Sequence, residues 1–289
     1  MSTHPHRPEG PSGTRELILA LLITVSFMMV EVVAALISGS LALLADAGHM
    51  LTDVSALSLS LFAAWIATKP ATPEKSYGYY RTEILAALIN GVALCLLVIW
   101  IYARALQRLH NPPDVLTGPM LVAAVLGLAA NLASSRILAG AGTRNLNIRG
   151  ARINVIGDAL GSCGVIGAGL LMRFKGWRQA DPLASLLIGF FIAFSAWMLM
   201  KQAVNVLLES TPDHLDLDRI LEAIRDVEGV RDIHDLHLWT ITTGLEAMSG
   251  HILVEDLGRG PQIVEALNRL VSERFGITHT TFQLELHRP

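Results

Sequence analysis

The chain has 289 residues, of which 52% are apolar and only 16% are charged, against about 25% charged residues in an ordinary soluble protein. This composition argues against a disordered chain or a collagen-like repeat, and two cysteines are too few for a disulfide scaffold. The formal net charge of −3 argues against a nucleic-acid partner, so we expect a protein embedded in a lipid bilayer.

The charges are distributed unevenly along the chain. Residues 1–208 carry 10 acidic and 15 basic side chains, whereas residues 209–289 carry 15 acidic and 7 basic side chains. This difference predicts three parts. They are a polar, flexible N-terminal segment over residues 1–15, an apolar membrane body over residues 16–208 and an acidic, water-exposed tail domain over residues 209–289.

The membrane body contains six apolar segments of about the length that crosses a bilayer. A hydrocarbon core about 30 Å thick needs about 20 helical residues, and glycine, serine and proline mark turns between the segments. We therefore predict six transmembrane helices, an even number that places both termini on one side. Their predicted bounds are Leu17–Ile37, Leu41–Ala67, Ile84–Leu106, Leu116–Leu138, Ile153–Met172 and Leu183–Leu207.

The loop lysines and arginines predict the orientation of these helices, because cytoplasmic loops carry more of them. Nine lie on the side of the N-terminus and five on the other side. We therefore expect a multi-pass protein of the cell (inner) membrane with cytoplasmic N- and C-termini. The nine are Arg7, Arg15, Lys69, Lys75, Arg81, Arg136, Arg144, Arg149 and Arg152, and the five are Arg104, Arg108, Arg173, Lys175 and Arg178.

The tail domain shows alternating helix and strand patterns. Apolar residues at helical spacing predict two helices, and period-two alternation predicts three strands. The order α-β-β-α-β is typical of a small open-faced α+β sandwich, whose free sheet face can pair with a second copy. The predicted elements are Asp216–Val227, Ile233–Ile241, His251–Val254, Gln262–Phe275 and Thr280–Leu286.

Ionisable residues inside the membrane body are the first functional signal. Placing one charged side chain at the centre of a bilayer costs about 2.5 to 3.5 kcal/mol, so each such residue is a candidate functional residue. Asp46, His49 and Asp53 share one face of the second span, and Asn154 and Asp158 lie four residues apart on the fifth. Two facing helices that each present such a pair can hold one divalent cation, although interhelical hydrogen bonds are the simpler alternative.

Glu31, in the first predicted span, is the other deeply placed carboxylate. A role in a proton or ion path and a purely structural role remain equally open for it. Asp46 is likewise a candidate for a proton path or an interlock.

Four stretches together resemble the cation diffusion facilitator family, and in particular its zinc, cobalt and cadmium exporters. They are LALLADAGHMLTDVSAL at Leu41–Leu57, YGYYRTEILAALIN at Tyr77–Asn90, DALGSCGVI at Asp158–Ile166 and HDLHLW at His234–Trp239. The resemblance implies a homodimeric Zn²⁺/H⁺ antiporter that exports Zn²⁺, and also Co²⁺ or Cd²⁺, by alternating access. It further implies that the protein is not an enzyme and needs no prosthetic group.

The resemblance also implies the transport site, formed by His49, Asp53, Asn154 and Asp158. Asn154 departs from the family pattern, since zinc exporters generally have histidine at this position. An amide oxygen is a harder ligand than imidazole and takes up no proton. Zinc remains our first expectation, and a preference for Mn²⁺, Fe²⁺ or Co²⁺ is the alternative.

Family members also bind regulatory ions in the tail. The candidates here are His234, His237, His251 and Glu285, of which His234, His251 and Glu285 fall nearest the matching family positions. Strand alternation puts His234 and His237 on opposite faces, so one site needs a twist or bulge to use both. Ordinary surface histidines are the alternative. Arg81 and Glu209 resemble a family charge pair that links the membrane and tail domains across the dimer, with lipid-headgroup contact as the alternative for Arg81.

Two other classes of protein place acidic residues in membranes or bind metal at a tail. An intramembrane aspartyl protease needs two membrane aspartates, but the glycine expected three residues before Asp158 is absent, since Val155 stands there. A membrane-anchored metal sensor that does not transport would leave the membrane His and Asp residues without a purpose. We therefore expect a transporter.

Overall fold

A computed structural model of the chain describes residues 14–66, 69, 72–139 and 146–286. Six long helices precede a smaller group of two helices and three strands. The long helices are α1 (Thr14–Ser38), α2 (Leu41–Ile66), α3 (Arg81–His110), α4 (Thr117–Ala139), α5 (Leu146–Lys175) and α6 (Ala180–Leu207). The smaller elements are α7 (Leu217–Arg225), β1 (Val230–Thr242), β2 (Leu245–Val254), α8 (Gly260–Phe275) and β3 (His279–Leu286), with a 3-10 turn at Leu257–Arg259.

The described residues form two compact units. The first lies within residues 1–69 and 86–200, and the second lies within residues 70–85 and 201–289. The start of α3 and the end of α6 therefore belong to the second unit, together with the loop that precedes α3. The charge and hydropathy patterns place the division at residue 209 and do not predict that this loop joins the tail.

The first unit is a helical bundle in which α1, α2, α4 and α5 pack in a ring: α1 against α2 and α4, and α5 against α2 and α4. The backbone N–H of Leu116, just before α4, donates to the carbonyl of Ser38 at the end of α1 (2.9 Å). The start of α4 therefore lies beside the start of α2. Since α5 returns from the far end of α4, α2 and α5 run antiparallel.

Three helices within the described residues are long and apolar enough to cross a membrane: Leu21–Ser38 within α1, α3 and α6. The described side chains of α2 and α4 include shorter apolar stretches, Leu41–Thr52 and Thr117–Ala130. Six long helices are present, and their arrangement as six spans remains a prediction.

Two of the helices extend well beyond their apolar segments. α3 covers Arg81–His110 where the sequence predicts Ile84–Leu106, and α5 begins at Leu146 where the sequence predicts Ile153. Hydropathy detects only the residues that suit a hydrocarbon core. Arginine, lysine and glutamine form helix readily, so the backbone hydrogen bonds continue past the apolar segment.

The second unit contains a three-stranded sheet in the order β1-β2-β3, with β1 antiparallel to β2 and β2 parallel to β3. The element order α-β-β-α-β is the predicted one. β2 begins at Leu245, however, where the sequence predicts His251. The run Leu245–Gly250 contains Glu, Ala and Gly, which have low strand propensity, and its pairing with β1 outweighs that preference.

Both tail helices have clear end signals. The Asp216 carboxylate accepts the backbone N–H groups of Asp218 (3.1 Å) and Arg219 (3.3 Å), which caps α7. Gly276 ends α8 with φ of +74°, a left-handed conformation that costs glycine no steric penalty. Apolar residues of both helices cover one sheet face. They include Ile220, Ile224, Ile263, Leu267 and Val271 against Met248 and Ile252.

Candidate metal centres

Asp46 on α2 is buried, with 3% of its surface exposed, and it contacts α5. The Ser162 hydroxyl of α5 donates to Asp46 Oδ2 at 3.2 Å. The neighbouring Gly161 leaves room for this carboxylate, because a Cβ there would lie 2.5 Å from Asp46 Oδ1. The hydrogen bond with Ser162 and the close contact with Gly161 therefore place Asp46 of α2 at the same depth in the bundle as these two residues of α5.

This contact fixes which residues of α2 and α5 lie at the same depth. Both helices rise about 1.5 Å per residue and run in opposite directions. For any two residues at the same depth, one on each helix, the two residue numbers therefore add up to the same total. Asp46 lies level with Gly161 and Ser162. Position 49 is therefore level with position 158, and position 53 with position 154.

The four predicted transport ligands occupy these level positions. His49 is partly buried on α2. The side chains of Asp53, Asn154 and Asp158 lie outside the described part of the structure, although all three residues belong to the helices α2 and α5. The backbone thus brings the two pairs to matching depths on adjacent helices, and the coordination itself stays a prediction.

Glu31, the other predicted membrane carboxylate, is 1% exposed on α1. It lies against Gly127 of α4, whose missing side chain makes space for the carboxylate. Glu31 therefore belongs to the contact between α1 and α4. This position leaves open its predicted place in a proton or ion path.

Three tail residues from three different strands come together at the exposed sheet face: His234, His251 and Glu285. One ligand atom from each lies within 4.8 Å of the others. His251 Nδ1 is 2.6 Å from Glu285 Oε1, and His234 Nε2 is 3.2 Å from Glu285 Oε2. Two imidazoles and a carboxylate at this spacing offer three of the four ligands of a tetrahedral zinc site.

Strand register explains the cluster. His234 of β1 pairs with His251 of β2, and Glu285 of β3 lies opposite Leu253, two residues beyond His251. Residues two apart on a strand share a face, so the three side chains project from the same side of the sheet. The sequence suggested this group only through the family resemblance, since residues 234, 251 and 285 are far apart in the chain.

His237, the fourth tail candidate, does not join the cluster. The register shifts between His234 and His237, and Asp235 in this β-bulge has φ of +52°. The bulge exposes both histidines, so the simple alternation that put them on opposite faces is wrong here. His237 Nε2 instead lies 3.1 Å from Asp235 Oδ1.

The cluster favours a negative charge on its carboxylate. Hydrogen bonds from His251 and then from His234 lower the pKa of the Glu285 carboxyl below its ordinary value. Glu285 is therefore ionised at neutral pH and available as a ligand. Protons that charge the two imidazoles compete with a metal ion for the same site.

Arg81 and Glu209 lie together in the second unit of one chain, with Arg81 Nη2 2.6 Å from Glu209 Oε1. A further contact accompanies them, since Thr242 and Thr243 of the β1–β2 turn both donate to the Glu83 carboxylate. The Tyr77 ring also contacts the His279 ring at a centroid distance of 5.7 Å. The start of α3 and the segment just before it are thus held to the tail by a salt bridge, hydrogen bonds and an aromatic contact.

Sequence reasoning missed one buried charged residue, Asp181 at the start of α6, which is 1% exposed. Its carboxylate accepts hydrogen bonds from the start of α2, a long distance away in the sequence. Serine at the turn before α2 is an ordinary cap signal. Nothing in the sequence shows that a second cap comes from another helix.

Comparison with protein families gives two matches that together span nearly the whole chain. A model described as "Cation efflux transmembrane domain" matches residues 17–208. A second, described as "Cation efflux protein, cytoplasmic domain", matches residues 212–287.

Several curated proteins are similar over about nine-tenths of their length. The chain is 40% identical over 287 residues to the "Cadmium, cobalt and zinc/H(+)-K(+) antiporter" of Bacillus velezensis, covering 98% of this chain and 91% of that protein. It is 41% identical over 284 residues to the "Metal cation efflux system protein CzcD" of Cupriavidus metallidurans, covering 97% and 90%. It is 39% identical over 285 residues to the "Zinc transporter ZitB" of Escherichia coli, covering 98% and 90%.

Proposed function

The chain belongs to the cation efflux family, also called cation diffusion facilitators, and we propose that it exports Zn²⁺ from the cytoplasm in exchange for protons, with Cd²⁺ and Co²⁺ as further substrates. It is a membrane transporter of divalent metal cations, and it is not an enzyme. The names of the similar proteins, which include zinc, cadmium, cobalt and H⁺, support the choice of substrate and counter-ion.

We further propose that all six long helices span the membrane, with both termini cytoplasmic, and that the chain works as a homodimer. The membrane domain would cover residues 16–208 and the cytosolic metal-binding and dimerisation domain residues 209–289. The exposed sheet face of the tail and the loop charges described above support this arrangement. Lipid is then the solvent of the helical bundle.

The single observation that carries the transport site is the register of α2 and α5. The contact of Asp46 with Gly161 and Ser162 sets His49 level with Asp158 and Asp53 level with Asn154. We propose that these four residues bind one divalent cation. In this proposal Asp46 joins α2 to α5 through its contacts with Gly161 and Ser162.

The exchange of metal for protons follows from the charges of these ligands. Two carboxylates balance the charge of a divalent ion, so the loaded site carries little net charge within the bilayer. When the site opens to the outside, protons compete for His49 and the carboxylates and lower the affinity for the metal. The metal ion and the protons compete for the same side chains. Release of the metal is therefore coupled to uptake of protons.

Asn154 is the residue that we expect to set metal preference. An amide oxygen binds a hard cation better than an imidazole nitrogen does, whereas imidazole is the stronger ligand for zinc. Asn154→His should therefore move the ranking toward Zn²⁺ and away from Mn²⁺, Fe²⁺ and Co²⁺.

The assay that tests both proposals measures metal-driven proton flux with a pH-sensitive dye inside proteoliposomes of the purified protein. Zn²⁺, Cd²⁺, Co²⁺, Mn²⁺ and Fe²⁺ are compared in the native protein and in Asn154→His. No flux with any metal would refute the proposed transport. An unchanged ranking in Asn154→His would refute the role given to Asn154.

A second proposal concerns the tail. His234, His251 and Glu285 would bind a regulatory divalent ion, with water or a residue of the second copy as the fourth ligand. We expect His251→Ala and Glu285→Gln to weaken this site by at least about 10- to 100-fold, since even partners behind the ligands have effects of that size. Calorimetric zinc titration of the full-length protein measures the change.

His237→Ala is the matched control for the tail site. His237 is an exposed histidine of the same strand whose imidazole contacts Asp235. We expect its replacement to leave the titration unchanged. A loss of binding in His237→Ala equal to that in His251→Ala would show that the cluster is assigned wrongly.

A further inference from the structure

The end of the bundle where α2 begins holds a buried carboxylate that belongs to another helix. Asp181 in the first turn of α6 is 1% exposed. Its Oδ1 accepts the Ser40 hydroxyl at 2.5 Å and the Ala42 backbone N–H at 3.2 Å, and its Oδ2 accepts the Leu41 N–H at 2.9 Å. The first N–H groups of a helix have no partner within it, so Asp181 caps α2 from outside.

Ser40 is the local cap of α2 and is itself held by Asp181. The Ser40 hydroxyl oxygen accepts the Leu43 N–H at 3.1 Å while its hydrogen is donated to Asp181. The cap is therefore shared between the chain segment before α2 and the start of α6. A carboxylate at this point also interacts favourably with the positive end of the α2 dipole.

Arg108, near the end of α3, completes the arrangement. Its Nη1 donates to the Gly39 carbonyl at 2.6 Å and lies 3.5 Å from Asp181 Oδ2. Gly39 is in the left-handed conformation, with φ of +70°, and forms the tight turn between α1 and α2. Three helices thus meet at the first residues of α2, and the charge pair of Arg108 and Asp181 lies where they meet.

α2 has close neighbours on two sides near His49. Gly48, beside His49, has no room for a side chain: a Cβ there would lie 2.9 Å from Leu97 of α3 and 3.7 Å from Ile192 of α6. Asp46 contacts α5. α2 therefore contacts α5 through Asp46 and lies close to α3 and α6 at Gly48.

We propose that Asp181, with Arg108, is a positioning residue for metal transport. It fixes the end of α2 to α3 and α6 and thereby sets where His49 lies relative to α5. His49 follows the cap by nine residues, or about 13 Å along the helix. A helix that slips or turns at its capped end moves this ligand with it, and misplacement by about 1 Å can lower a rate by about 100-fold.

The proposal rests on the proposed transport function, and the flux assay separates the two. We expect Asp181→Ala to raise the Zn²⁺ KM for flux by roughly tenfold or more, because a displaced ligand binds the ion less well. Asp181→Asn, which keeps one acceptor oxygen but loses the charge opposite Arg108, should show a smaller rise. In a protein that already carries Arg108→Gln, Asp181→Asn should raise KM by a smaller factor than in the native protein, because the two residues interact.

Asp114→Asn is the matched control. Asp114 forms a salt bridge with Arg178 (2.6 Å) in the same unit, and both side chains are largely exposed. Its removal should leave KM unchanged. Asp181 variants that lower protein yield or thermal stability while KM stays at the native value would overturn the positioning role.

If Asp181→Ala does not fold, Asp181→Asn and Ser40→Ala carry the same test. Ser40→Ala removes one hydroxyl from the shared cap and leaves the charge pair in place. We expect it to raise KM as well. A native KM in both variants refutes the proposal, and absence of flux in the native protein refutes the proposed function instead.

Discussion

Asp53→Ala and Asp158→Ala should each abolish metal-driven proton flux. Each variant removes one of two carboxylates that the proposed site needs to balance a divalent ion within the bilayer. Replacement of groups behind metal ligands already costs about 10- to 100-fold in affinity, so loss of a ligand should cost more than about 100-fold. The measurement is initial proton flux in proteoliposomes as Zn²⁺ concentration is raised.

Two further variants make this result interpretable. Asp53→Asn keeps the side-chain volume and loses only the charge. If charge balance explains the loss of flux, Asp53→Asn should reduce flux almost as much as Asp53→Ala. Asp114→Ala changes an exposed aspartate of the same unit and should leave flux unchanged. Native flux in both Asp53→Ala and Asp158→Ala would place the transport site elsewhere in the protein.

Gly161→Ala should impair transport by a large factor although it adds only one methyl group. The added Cβ would lie 2.5 Å from Asp46 Oδ1 and 3.6 Å from Asp46 Cγ. Asp46 is buried and short, so the carboxylate or the whole of α2 has to shift. A displacement of about 1 Å between α2 and α5 at this level is expected to reduce flux by about 10- to 100-fold.

Gly164→Ala is the matched control on the same helix. It lies three residues further along α5, and no described atom lies within 4 Å of the position that its Cβ would take. We expect native flux and a slight gain in helix stability from this change. Equal loss in both glycine variants would mean that α5 tolerates no change in general.

A double variant tests whether the clash with Asp46 is the cause. In an Asp46→Ala background the carboxylate is gone, so Gly161→Ala should cause little additional loss of flux. Residues in contact show such non-additive effects, whereas independent residues do not. Additive losses would contradict the contact that sets the register of α2 and α5.

The element order of the whole chain could be predicted from local sequence patterns. Apolar runs of bilayer length predict the long helices, and helical and alternating spacings predict the tail order. Bounds were less accurate where a partner element decides them. β2 extends to Leu245 because this residue pairs with Thr242 at the end of β1. The residues of β2 alone do not predict this pairing.

The His237 prediction shows a different limit. Strand alternation assumes an unbroken ladder, and the bulge at Asp235 breaks it. A bulge depends on the pairing of two strands, so the sequence of one strand does not show where it lies. The exposed position of both histidines therefore became visible only in the folded sheet.

The sequence by itself determined that this is a membrane protein with an α+β tail and that His49, Asp53, Asn154 and Asp158 occur as two spaced pairs. Those features are local, since spacing within a helix depends only on neighbouring residues. Only the tertiary structure decided that α2 and α5 meet at Asp46, and that His234, His251 and Glu285 share one sheet face. It also decided that Asp181 caps a helix beginning 140 residues earlier. Such contacts depend on how distant segments pack, because the packing buries polar groups that then need partners from wherever the chain supplies them.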